Sequence, residues 1–179
     1  PVTNGSANNV QYIFDDRGNA YLSFEYQNRI EYFDGEGNQI VKIERPINYD
    51  IVIEKTVVTR HDNGGVSIQG GKKNRISRGI AIDNKQRVWV VTLTRQIEEE
   101  EQVGMTTRMG PEGISRQTSG NTDLRTTDMY ELEVYDQEGI LLGKIPINHF
   151  VDDIRIFDDR LFILDRLRGM QFYEYKIID

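Results

Sequence analysis

Two histidines, a run of four glutamates and a set of loop arginines are the side chains whose types could do chemistry. His61, beside Asp62, has the make-up of a general base, but a histidine that caps or closes a hairpin has the same neighbours and is the favoured reading. His149, in Asn148-His149-Phe150, reads as filling a corner between strands. Glu98-Glu99-Glu100-Glu101 could hold a cation only as a loose cluster, because adjacent carboxylates point in different directions, and a solvated surface is the simpler expectation. Asp34-Gly35-Glu36-Gly37-Asn38 has the composition of a calcium loop, yet its glycine order is wrong and no bidentate acid follows at the twelfth position. The same residues suit a hairpin turn, because Asp, Asn and Gly tolerate left-handed backbone angles. No Gly-x-Ser-x-Gly elbow, His-Glu-x-x-His pair or phosphate loop is present. Cysteine is absent, which removes disulfides, thiolate metal sites and Cys nucleophiles while leaving the compartment open. No catalytic residue, metal ligand set or cofactor is therefore assigned.

The cations are distributed more suggestively. Over residues 54–78, six basic residues (Lys55, Arg60, Lys72, Lys73, Arg75 and Arg78) stand against Glu54 and Asp62. A second segment, 97–128, opens on the acidic run and continues through a mixture of Thr, Gly, Met, Arg and Ser. One reading joins the two as a bipolar site; the other, favoured, has loop cations offset nearby acids while all stay solvated. Candidate binding residues on or beside these segments are Arg60, His61, Arg95, Arg108 and Arg116. Arg166 and Arg168, in Asp165-Arg166-Leu167-Arg168-Gly169, could anchor an acidic ligand or pair with Asp165.

Strands must position these residues. The apolar residues come in short alternating runs bounded by Asp, Asn and Gly, as in Asn19 to Tyr26, where Ala20, Leu22, Phe24 and Tyr26 share one face. The chain also repeats itself. Asp16 to Leu22 aligns with Asn84 to Val90 and with Asp158 to Ile163, placing Tyr21, Trp89 or Phe162 near the start of a returning strand. Ile30 to Gly37 aligns with Leu132 to Gly139, followed at equal offsets by Lys42-Ile43 and Lys144-Ile145 and then by Pro46 to Asn48 and Pro146 to Asn148. The unit is a four-stranded meander of about 40 residues, the unit of a β-propeller blade. Strands are expected near 10–15, 20–26, 29–34 and 39–44; 79–83, 87–96, 129–136 and 140–146; and 151–157, 160–166 and 170–178. Tyr21, Trp89 and Phe162, with Tyr32, Phe33, Tyr135, Phe172, Tyr173 and Tyr175, are expected to pack between blades. Residues 51–68 read as an added hairpin turning at Asn63-Gly64, and 97–128 as a long loop.

Asn28 to Gly37 and Arg78 to Asp83 resemble the two halves of an NHL-type repeat. The resemblance implies the six-bladed, TolB-like propeller superfamily, many of whose bacterial members are periplasmic, envelope-anchored or secreted. Six blades need about 240 residues at that repeat length, and this sequence holds three. The expected organisation is one all-β partial propeller domain: a blade at 10–48, an insertion at 49–76, a blade at 77–148 carrying the insertion 97–128, and an incomplete blade at 149–179. The polar stretch 1–9 is a poor source for its missing strand. A homodimer, or a missing N-terminal half, is expected to complete the ring.

In such a meander the tight turns lie at one end of the blades and both insertions at the other, where binding residues concentrate. The expected function is a non-catalytic binding or scaffold module that presents 49–76 and 97–128 to a protein or small ligand. The alternative is a metal-dependent lactonase- or lyase-like propeller enzyme, which the resemblance allows but the fold does not fix. Acidic residues number 29 against 22 basic, for a formal net charge of −7 and a pI near 5.0, which argues against nucleic acid as a partner. No apolar run approaches the ~18 residues of a membrane-spanning helix, and the first residues show no leader pattern.

Overall fold

The structure, a computed structural model, describes residues 8–55, 57–62, 64–69, 71–110 and 113–178. Asn63 of the expected turn and residues 1–7 of the polar start lie outside them. The described residues form antiparallel sheets connected in chain order. The first sheet is the meander β1 (Val10–Phe14), β2 (Ala20–Phe24), β3 (Arg29–Phe33) and β4 (Gln39–Glu44). A hairpin of β5 (Val57–Arg60) and β6 (Val66–Gln69) follows. The second sheet holds β7 (Ser77–Ile82), β8 (Val88–Leu93), β11 (Thr126–Tyr135) and β12 (Leu141–His149) in the order β12-β11-β8-β7. Between β8 and β11 rises a second hairpin of β9 (Val103–Gly110) and β10 (Gly113–Gly120). The third sheet has β13 (Asp153–Phe157), β14 (Arg160–Asp165) and β15 (Gln171–Lys176).

One turn recurs because one side chain builds it. The Oδ1 of Asp15, Asp34, Asp83 and Asp136 accepts the backbone N–H groups two and four residues on, at 2.8–3.0 Å. These carboxylates are spent on closing hairpins, as the turn reading expects. The tight turn needs a left-handed residue one step before its end, supplied by Gly18, Gly37 and Gly139, and by Gln86 at φ 61°. The second oxygen serves the aromatic that follows: Tyr21 Oη donates to Asp15 at 3.1 Å and Trp89 Nε1 to Asp83 at 2.9 Å.

The sheets pack face to face. Every residue of β8 is buried. Val88 and Val90 cluster with Tyr21, Ile30 and Tyr32 of the first sheet, while Trp89 and Val91 cluster with Ile154, Leu161 and Ile163 of the third. Each such apolar side chain contributes about 1.5–3 kcal/mol, so the second sheet is held from both sides. At the inner edge β7 packs between β1 and β13. Gly79 allows this approach, since a Cβ there would lie 3.0 Å from Ile154 Cγ1.

Three expectations need correction. Residues 97–128 are not a long loop: they hold an eight-residue strand pair and a short 3-10 turn, Glu99–Glu101. The glutamate run is not all solvated, because Glu101 is buried. Phe172 and Tyr175 are exposed, because no sheet covers the far side of the third sheet among the described residues. Phe162 lies opposite Leu161 and Ile163 on its strand, half-buried, with its ring 5.9 Å from Phe157 and 5.5 Å from Phe172.

Candidate functional site

The Asp-built turns lie at one end of the sheets, so the connections β2–β3, β4–β7, β8–β11 and β14–β15 all emerge at the other. Both hairpins stand there. The first has a stem of its own: Glu54 N–H donates to Lys72 O and Asn74 N–H to Val52 O, each at 2.9 Å, and the Glu54 carboxylate accepts the Lys72 N–H at 2.8 Å. Arg60 ends β5, and His61 begins the exposed turn, donating its backbone N–H to Gly65 O at 2.8 Å. Arg108 and Arg116 sit in the second hairpin opposite Ser115 and Thr107. Its eight-residue strands give an arm of about 27 Å.

The root of that arm is an ionic lattice. Arg95 holds Glu101 through two parallel bonds, Nη1 to Oε2 at 2.7 Å and Nη2 to Oε1 at 2.8 Å, and its Nε donates to Asp128 Oδ1 at 2.7 Å. Thr127 Oγ1 donates to Glu101 Oε1 at 2.6 Å and the Glu98 N–H to Oε2 at 3.0 Å. The Arg95 bonds pull the Glu101 carboxyl down to about 2 despite its burial, and Glu101 in turn raises Arg95 above the usual guanidinium range. Arg168 donates to the Glu101 carbonyl and lies over the Phe150 ring, 3.3 Å from its centroid; burial lowers its pKa. The structure thus brings Arg95 and Arg168 together as internal partners of Glu101. Arg166 points elsewhere, into a cleft of about 410 Å³ shared with Tyr12, Asp152 and Arg155.

The two insertions meet. Gln96 Nε2 donates to Arg75 O at 2.8 Å, and a cleft of about 580 Å³ opens between the stems, lined by Lys72, Lys73, Asn74, Gln96, Gln102 and Val103 among others. Lys73 Nζ sits 5.5 Å from the Tyr26 ring centroid. Of the six cations counted in the sequence, Arg75 pairs with Glu25 at 2.6 Å, and Arg78 binds Asp152. Gln96 and Gln102 carry no motif that sequence could have flagged.

A second cavity, of about 610 Å³, lies between the second and third sheets, walled by Trp89, Leu132, Ile145, Ile147, Leu161 and Ile163 and bordered by Tyr175 to Ile178. His149 marks one end, its ring stacked 3.8 Å from Tyr173 and its Nε2 2.8 Å from Tyr175 Oη. Burial lowers its pKa. No three acidic or histidine side chains gather as a metal set among the described residues.

No family model matches the chain, and no curated protein does. Among solved structures it is similar to a streptogramin B lyase at 10% identity and TM-score 0.25, over 97% of this chain and 70% of that one. It is likewise similar to a selenomethionine-substituted virginiamycin B lyase from Staphylococcus aureus, at 10% identity and TM-score 0.24 over 97% and 71%. A third is Kluyveromyces lactis Hsv2p, at 10% identity and TM-score 0.21 over 96% and 76%. The all-β architecture rests on the sheets themselves.

Proposed function

We propose that the three sheets are blades of an NHL-type, six-bladed propeller, a blade at 10–48, a blade at 77–148 and an incomplete blade at 149–179, and that the chain is a non-catalytic binding module of a bacterial envelope or secreted protein. Its binding face is the end that carries the insertions 49–76 and 97–128. The observation behind this reading is the joined pair of hairpin stems, tied by Gln96 and Arg75 around a cleft with two lysines. Rigid scaffolds place recognition on such projecting segments, and a basic cleft on an acidic protein suits an acidic partner by charge complementarity. The enzyme alternative draws less support, because Glu25 and Asp152, carboxylates beside the inner strands, are each held by Arg75 or Arg78.

The test titrates the protein with an oligo-glutamate peptide at low and at physiological salt. Saturable, salt-sensitive binding that falls at least ~10-fold in the double variant Lys72→Glu/Lys73→Glu is expected. Equal binding by the variant would overturn the assignment of the face.

A further inference from the structure

The cavity of about 610 Å³ is apolar along its length and polar at its ends. Leu132, Ile145 and Ile147 wall it from the second sheet and Leu161 and Ile163 from the third, with Trp89 beside them. The one polar atom of the Trp89 ring is spent on Asp83 at 2.9 Å. The volume lies in the range of sites that enclose a small organic molecule, about 300–1,000 Å³. Register orders the wall: Trp89 pairs with Val134 toward the Asp-built turns, Leu132 with Ile145 midway, and Thr126 with His149 at the insertion end. Lys176 stands at the turn end, its Nζ 3.7 Å from Asp159. Thr127, Asp128, Asn148 and His149 stand at the other. His149 adds no charge there, because burial lowers its pKa and both ring nitrogens are engaged, Nδ1 3.2 Å from Phe150 O and Nε2 2.8 Å from Tyr175 Oη.

A smaller pocket, of about 390 Å³, begins where the cavity ends. It shares Thr127, Asp128 and Asn148 with the cavity and adds Arg95, Glu98, Glu100 and Glu101. Four carboxylates thus stand against one guanidinium, and Arg95 is already committed to Glu101 and Asp128. The Asp128 side chain stays 84% exposed despite that bond, which leaves its carboxylate open to a cation that arrives from the cavity.

We propose that the cavity and this pocket form one site for an amphipathic organic cation, an amine carried on an apolar body. The body lies against Ile145, Ile147 and Ile163, and the ammonium group reaches Asp128 and Glu100. The walls supply affinity in proportion to the apolar surface they cover, and the surplus of carboxylates at the mouth sets the direction of entry, with the amine away from Lys176. A carboxylate of the same shape meets like charge at that mouth, and a neutral alcohol forfeits the ion pair. The Lys72–Lys73 cleft selects the opposite charge, so the two sites are chemically distinct.

The probes are hexylamine, octylamine and decylamine, titrated below their micelle concentrations into the 179-residue protein, with octanol and octanoate as charge controls. Trp89, the single tryptophan, lines the cavity and reports occupancy by its emission. A saturable change is expected, with affinity rising about 4-fold per methylene. Octylamine should bind at least ~5-fold more tightly than either control. Asp128→Asn and Glu100→Gln should each weaken octylamine at least ~3-fold and leave octanol unchanged; if the first fails to fold, the second, on an exposed residue, decides. Ile145→Lys, at a position 45% exposed, puts a cation on the wall and should weaken octylamine at least ~10-fold. An unsaturable response, equal affinity for octylamine and octanol, no dependence on chain length, or parental binding by both carboxylate variants would overturn the proposal. Lys72→Glu/Lys73→Glu should bind octylamine as the parent does; a changed affinity would move the amine to the hairpin face and overturn it equally.

Discussion

Arg45 and Glu133 meet 3.3 Å apart, both almost completely buried, across the joint between the first two sheets. Arg45 leaves the end of β4 and also donates to Thr92 Oγ1 at 2.6 Å and Ser77 Oγ at 2.7 Å, while Glu133 accepts from Tyr135 Oη at 2.9 Å and pairs with Lys144 at 2.8 Å. Removing Arg45 takes one cation from a buried carboxylate that keeps Lys144, Tyr135 and Thr92, so Arg45→Ala is expected to cost about 3 kcal/mol, the low end for breaking a buried pair. Replacing both, Arg45→Met with Glu133→Leu, should recover much of that loss. Urea denaturation of the three proteins checks the order; equal destabilisation by the single and double variants would assign the loss to packing.

Glu101 gives the fold an acid-sensitive element. Its folded pKa is depressed to about 2, chiefly by Arg95, so its stabilisation is complete above the ordinary carboxylate value and disappears as pH falls from about 4.5 toward 2. The shift corresponds to about 3 kcal/mol at neutral pH. Glu101→Gln should lose stability at pH 7 and show a flatter decline below pH 4.5 than the parent chain. Parallel pH profiles for the two proteins would remove Glu101 from that role.

The same lattice divides the insertion 97–128 into a structural root and a free arm. Glu101, Thr127 and Leu124 pack into or onto the core, whereas β9 and β10 pair with each other. Deleting Val103 to Gly120 and bridging with Gly-Ser should move the melting temperature by only a few degrees, since loop closure depends weakly on length. Extending the deletion through Arg125 takes Leu124 off the core and should cost more. Calorimetry of the two deletions distinguishes a projecting arm from a brace.

What was legible in the sequence followed from short-range physics. Period-two runs and Asp-rich turns located the strands of all three sheets to within a few residues, because one aspartate side chain dictates each of four turns in the first two sheets and alternation dictates each face. The arm at 103–120 was read as loop: Val-Gly-Met-Thr-Thr-Arg-Met-Gly is rich in Gly and Thr, and its apolar alternation, Val103, Met105 and Met109, is interrupted at Thr107. The lattice at its root was illegible for a different reason. Arg95 and Glu101 are six residues apart, but Arg168 lies 67 residues beyond Glu101, and nothing in the run Glu98 to Glu101 marks which of its four carboxylates is the buried partner.

Self-association is the last expectation, and it follows from the repeat. Along the first sheet, Tyr12, Leu22, Glu31 and Lys42 stand opposite one another in register, as Ile80, Val90, Glu133 and Lys144 do in the second. The outward face of the first sheet therefore repeats the face by which the second sheet receives its predecessor, yet Tyr12 and Phe14 are about 60% exposed there, at 61% and 58%. At the other end Phe157, Phe162 and Phe172 occupy the face by which Tyr21 and Trp89 meet their successors. The two ends are the two halves of one joint, so a second copy can join head to tail, and a pair closes if the rotation between sheets permits. Sedimentation at micromolar concentration should show a dimer. Tyr12→Lys/Phe14→Lys and Phe157→Lys/Phe172→Lys should each give a monomer of 20.8 kDa. Mixed together, the two variants retain one intact joint and should form a heterodimer, an outcome that non-specific stickiness cannot produce. A parent chain that sediments as a clean monomer would refute the closure.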